Sequence, residues 1–225
     1  MKTALALLLL CVACAAPEAR HAAKGQLADF AAPASWRIAD CPHCPVELDE
    51  ALAAEAAGHW TKAAELFKDA VERDPTCDRA LLGRGRALLV LGRPGEAADL
   101  LAAASEGRAS APRLLGARTC ALYAAGRNAE VVQLAGGFDP ATLPPDALVA
   151  LGRAALLTGN YMIAGAALSR QVELQPADGG AWLDLARTLY LLKEEDSGLY
   201  ALRKAHALGA DLGGLQPLVD AGSGH

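Results

Sequence analysis

Cysteines and arginines are the residues of this chain whose types and spacing could do chemistry. Cys41-Pro42-His43-Cys44 sets two thiols three residues apart. At that spacing a thiolate activated at a helix N-terminus can attack a disulfide and its neighbour can resolve the product. Cys41, Cys44, Cys77 and either His43 or His59 could also supply four soft metal ligands if the loop folded back on the body. Attachment of a c-type haem is excluded, because Pro45 and not His follows Cys44. The histidines are scattered, no Gly-rich loop follows a strand, and no Ser, His and Asp share recognisable elements. The expectation is therefore no catalytic residue, no metal and no cofactor.

A thiol-disulfide catalyst of the thioredoxin kind needs a strand before its motif and a βαβ frame around it. The sequence offers neither. Hydrophobic residues make up 53% of the 225 positions but aromatics only 4%, a balance rich in Ala and Leu that favours closely packed helices over sheet. The formal charge of −5 would repel a polyanion, and ten aromatic rings, several of them needed for packing, make a poor base-stacking platform. Nucleic acid is not an expected partner.

Residues 1–13 have a lone Lys2, an apolar run from Leu5 to Leu10 and then small residues, the shape of a secretory leader and too short to span a bilayer. Cys11-Val12-Ala13-Cys14 resembles a bacterial lipobox, which implies lipidation of Cys14, with ordinary cleavage near Ala15 or Ala16 as the rival. Several acyl chains, each contributing about 0.8 kcal/mol per buried CH₂, would hold the chain permanently at a membrane surface. By resemblance to lipoprotein sorting rules, Ala15 in place of Asp implies the periplasmic side of the outer membrane. Residues 14–43 carry scattered Pro17, Gly25 and Pro33 without a sustained period, as a tether does.

Beyond the tether the chain is periodic. Gly58, Gly92, Gly126 and Gly159 stand in polar breaks at intervals of 34, 34 and 33, and Lys193 continues the count at 34. Before each break apolar or small residues recur along one helical face, as in Leu148, Leu151, Gly152 and Ala155. After it comes a small residue and then a larger one, as in Ala63 and Phe67, Ala97 and Leu101, Ala164 and Leu168, Gly198 and Leu202. Such a period marks stacked helix-turn-helix units, since one hairpin cannot bury its own apolar face.

The pattern resembles the tetratricopeptide repeat family. The fourth unit carries it best, with Leu148, Leu151-Gly152, Gly159, Tyr161, Ala164, Leu168 and Pro176; the first keeps Gly58, Trp60, Ala63, Phe67, Ala70 and Pro75. The resemblance implies an all-α superhelix of about five repeats, over 44–77, 78–111, 112–144, 145–178 and 179–212, with a short cap and tail over 213–225. In the third unit Gly136-Gly137 and Asp139-Pro140 arrive early, which predicts a short second helix and a local break. Only Leu215 to Val219 is available to cover the last helix, so self-association through this end is an expectation.

By resemblance, the chain is a non-catalytic scaffold or adaptor of the cell envelope that binds a protein segment in a groove lined by the first helix of each pair. Six residues before each turn marker stand Leu52, Arg86, Cys120, Arg153 and Arg187, and three before it stand Glu55, Leu89, Tyr123, Leu156 and Tyr190. With equivalent positions roughly 10 Å apart, Arg86, Arg153 and Arg187 are expected to form a basic stripe, with Arg79 and Arg113 at its rim. Leu89, Tyr123, Leu156 and Tyr190 are expected to accept apolar side chains of an acidic and apolar partner. The alternative function is thiol-disulfide exchange by Cys41 and Cys44. A structural disulfide, within that pair or from Cys77 to either, suits an oxidising compartment.

Overall fold

The computed structural model describes residues 47–105 and 112–216. The leader, Cys14, the tether, Cys41, Cys44 and the stretch from Pro217 onward lie outside the described residues. Within them the chain forms five helical hairpins: α1 (Glu47–Ala56) with α2 (Trp60–Arg73), α3 (Asp78–Val90) with α4 (Pro94–Ser105), α5 (Pro112–Ala124) with α6 (Asn128–Ala135), α7 (Pro145–Leu157) with α8 (Tyr161–Leu174), and α9 (Gly179–Leu191) with α10 (Glu195–Ala207). No strand occurs among the described residues.

The period of 34 has a local cause. Gly58, Gly92, Gly126 and Gly159 each hold a left-handed backbone with φ between 72° and 78°, and Lys193 does the same at 65°. Each ends the first helix of its hairpin. The next residue then donates its N–H to a carbonyl five positions back, Arg93 to Leu88 at 2.8 Å, Asn160 to Ala155 at 2.8 Å and Glu194 to Leu189 at 2.9 Å. This satisfies carbonyls that the helix end would otherwise leave open and turns the chain into the second helix.

Packing follows from the small residues. A Cβ at Gly152 would lie 2.6 Å from Leu168, and one at Gly85 would lie 3.3 Å from Leu101, so the missing side chain on the first helix is filled by the leucine of the second. Phe67 does this between hairpins, its ring 2.5 Å from where a Gly83 Cβ would stand. Each helix packs on the next, and the first helices also touch their counterparts in adjacent hairpins, α1 on α3, α3 on α5, α5 on α7 and α7 on α9. The core is thus a row of buried Ala and Leu assembled between neighbours.

Hairpin three departs where its sequence does. α6 has 8 residues, against 12 to 14 in the other second helices. A 3₁₀ turn over Pro140–Thr142 follows, opened by the Asp139 carboxylate accepting the Ala141 N–H at 2.9 Å. At the far end Leu212 and Leu215 are both buried against hairpin five. The cover over the last hairpin therefore begins at Leu212, earlier than the expected Leu215, because Gly209 ends α10 in a left-handed turn that sends the chain back at once.

Candidate ligand cavity

The stacking of α5, α7 and α9 brings Tyr123, Arg153, Leu156 and Arg187 to one cavity of about 780 Å³, closed on one side by the turn from Asp211 to Leu215. Four of the residues expected to line a groove are therefore brought together. Asp184 joins them. Its carboxylate accepts Arg153 Nε at 2.7 Å through one oxygen and Arg187 Nη1 at 3.2 Å through the other. Arg187 sits one turn along α9 from Asp184, while Arg153 reaches across from α7.

The charge states follow from these contacts. Burial of Arg153 alone would favour loss of its proton, but the Asp184 charge and hydrogen bond outweigh it, and the guanidinium pKa is raised. Burial raises the pKa of the Tyr123 hydroxyl despite the nearby Arg153 cation, so it stays a neutral phenol. The two cations share the Asp184 carboxylate, and Asp211 brings a second carboxylate to a cavity whose walls include Leu156, Leu157, Leu183, Leu191, Leu212 and Leu215. Arg187 Nε is buried and has no hydrogen-bond partner among the described residues.

The other expected site residues lie elsewhere. Arg86 forms a 2.6 Å ion pair with Glu55 of α1 and lies over the Trp60 ring at 5.7 Å. Leu89, expected to accept a partner's side chain, is 1% exposed and belongs to the core cluster that α3 shares with α4, α5 and α7. Tyr190 is half-buried against α10, where a Gly198 Cβ would lie 3.2 Å from its ring, and it does not line the cavity. Arg79 is half-buried early in α3, also away from the cavity. Arg113 lies in the first turn of α5, and its side chain is outside the described part. The continuous basic stripe expected from sequence is thus broken into ion pairs.

Cys120 occupies the row between Arg86 and Arg153. It is a fully buried thiol 3.8 Å from the Asp146 carboxylate, and burial first, then that carboxylate, pushes its pKa well above the ordinary thiol range. Cys77 is buried at the start of α3. Among the described residues no group of three His, Cys, Asp or Glu could hold a metal ion, and no helix is long and apolar enough to cross a membrane.

Sequence reasoning missed Asp184 and Glu55 as partners of the arginines. The signal was present in the spacing: Arg153 to Asp184 and Glu55 to Arg86 are both 31 apart. That is one repeat less nearly one helical turn, which sets two side chains of neighbouring first helices face to face.

Residues 48–112 match the tetratricopeptide repeat family. Among solved structures the fold is similar to MamA AMB-1, with a TM-score of 0.60 and 16% identity over 73% of this chain and 98% of that one. It is also similar to a MamA RS-1 double mutant, with a TM-score of 0.61 and 13% identity over 73% and 96% of the two chains. PilW, described as a widely conserved type IV pilus biogenesis factor, aligns with a TM-score of 0.56 and 20% identity over 72% of this chain and 76% of that one. No curated protein matches the sequence. The fold is that of a tetratricopeptide-type solenoid.

Proposed function

We propose that this chain is a non-catalytic interaction module of the bacterial cell envelope, anchored through a lipidated Cys14, that holds an acidic and apolar segment of a partner protein against the first helices of hairpins three to five. The observation that carries the reading is the cavity itself, where Arg153 and Arg187 stand with Asp184 and Asp211 among leucines, glycines and two tyrosines. A guanidinium in such a wall offers a carboxylate both charge and a hydrogen-bond fork, while the leucines take the apolar side chains beside it. The leader, the lipobox-like Cys14 and the fold shared with a pilus biogenesis factor support the envelope setting, on the periplasmic face of the outer membrane. The membrane is met only through the anchor. Tyr200 and Leu208, 56% and 42% exposed on and just after α10, support self-association through that end. No observation favours the thiol-disulfide alternative.

Charge reversal at Arg86 or Arg153 would set like charges against Glu55 or Asp184 and confound folding with binding. The cleaner test removes the whole cluster, with Arg153→Met, Asp184→Asn and Arg187→Met together, so that no charge is left buried alone. The full chain is used to capture partners from detergent-solubilised envelope. A protein retained by the unaltered chain and lost from the triple variant, at equal thermal stability, is the expected result. Capture that ignores the three substitutions refutes the reading.

A further inference from the structure

We infer that the exposed face of α10 is the contact through which two copies of this chain pair, antiparallel, about a two-fold axis at Tyr200. The inference rests on the self-association reading above and names its surface and register. Seven residues after its turn marker each hairpin has an exposed position, filled by Glu65, Asp99, Gln133 and Ala166 in the first four and by Tyr200 in the fifth. Only the last hairpin puts a large ring there. Tyr200 is 56% exposed and its ring meets that of the half-buried Trp182 edge to face at 6.0 Å, while Leu208, two turns further along, is 42% exposed. They leave an apolar strip on the outside of α10, where a solvated helix would carry polar side chains.

The charges on either side of Tyr200 indicate what covers it. Asp196 stands one turn before and Lys204 one turn after, both exposed, with Glu195 beside the first and Arg203 beside the second. Thr61, Gly95, Ala129 and Met162 occupy the place of Asp196 in the other hairpins, so hairpin five alone reads acid, ring, base along an i, i+4, i+8 ridge. Such a ridge is its own complement. When two copies cross ridge against ridge at the common angle of about −50° and in opposite senses, Tyr200 meets its own counterpart and each Asp196 faces the Lys204 of the second copy. A parallel arrangement would set acid on acid and base on base. The reciprocal contact, Asp196 to Lys204 and Lys204 to Asp196, is what a two-fold interface requires. The Lys204 ammonium already lies 5.6 Å from the centre of the Tyr200 ring, beside the surface that pairing would cover. One face of a 13-residue helix buries less than the roughly 800 Å² per partner of a standard interface, so the pairing is weak and reversible.

The test is sedimentation of the full chain in density-matched detergent from about 1 μM to about 1 mM, with melting of every variant followed in parallel. Asp196→Lys and Lys204→Glu are each expected to weaken self-association by about tenfold, because each sets like charges across the axis. Mixed in equal amounts, the two variants are expected to pair with each other within about threefold of the parent's affinity, since both cross-axis contacts are then attractive. Tyr200→Ser together with Leu208→Ser, both at exposed positions, should leave a folded monomer at every concentration. Association that survives that double change overturns the inference, because the contact then lies elsewhere. Single variants that weaken pairing without mutual rescue overturn the antiparallel register and leave self-association through this end standing. A parent that stays monomeric throughout overturns both, and residues 217–225 or another protein then cover the face.

Discussion

The two ends of the row of first helices are built on the same spacing and behave differently. Near the N-terminal end, Glu55 and Arg86 are 31 apart and meet at 2.6 Å, with Trp60 beneath and Leu89 buried alongside. Near the C-terminal end, Arg153 and Asp184 repeat the spacing, but Arg187 joins them and a cavity opens beside the trio. Repeat geometry brings the charged side chains together in both places. The second arginine, and the space left beside it, separates a pair packed among its neighbours from a cluster that borders a cavity.

Removing the acid at each end is the strongest way to break that contrast. The Glu55 and Arg86 side chains are 11% and 15% exposed, so Glu55→Ala takes a carboxylate from a largely buried cation and should cost about 3 kcal/mol. Asp184→Ala leaves Arg153 and Arg187, 21% and 31% exposed, facing an open cavity that water can enter, and its cost should be less than half as large. Urea unfolding of both variants measures the difference. Equal losses would mean that the C-terminal cluster is as structural as the N-terminal pair.

The device that packs each hairpin sharpens the same comparison at smaller amplitude. Gly152→Ala would drive its Cβ to 2.6 Å from the buried Leu168, whereas Gly85→Ala meets Leu101 at 3.3 Å. Overpacking should cost Gly152→Ala about 2 kcal/mol. The Gly85→Ala clash is small enough to be offset by the gain of about 1 kcal/mol in helix propensity, so its stability should be nearly unchanged. A Gly152→Ala protein as stable as its parent would show that hairpin four is looser than its geometry implies.

What could be read from the sequence divides along the same physical line. The turn glycines, the small-then-large pairs and the early breaks after Ala135 are local or strictly periodic, so fold class and the short α6 were legible. In hairpin three the positions matching Gly85 and Leu101 hold Thr119 and Ala135, both buried. The bulk has moved from the second helix to the first, which explains why that unit looked degenerate. The groove was legible only in part. Spacing placed Arg153, Leu156, Arg187 and Tyr123 on one wall, but which rows stay open depends on packing between helices that spacing does not encode, and Leu89 is buried in that packing. Asp184 was missed because the expected wall was read as a row of like positions, while the ion pairs run diagonally between rows.

Cys120 stands midway along the arginine row and gives the smallest, pH-dependent effect. Its buried thiol is held protonated by burial and by Asp146 at 3.8 Å, whereas the unfolded chain would ionise it near the ordinary thiol pKa of about 8.5. Because the folded pKa is the higher, the native state binds the proton more tightly. The resulting stabilisation is fully present below about pH 8.5 and is lost as pH rises toward the folded value, with a slope of up to about 1.4 kcal/mol per unit. The stability of the parent minus that of Cys120→Ala should therefore be flat from pH 6 to 8 and fall above it, as read from urea unfolding across the series. A difference that stays flat to pH 10 would mean that the thiol ionises in place, and that the middle of the row is open to solvent as the C-terminal end is.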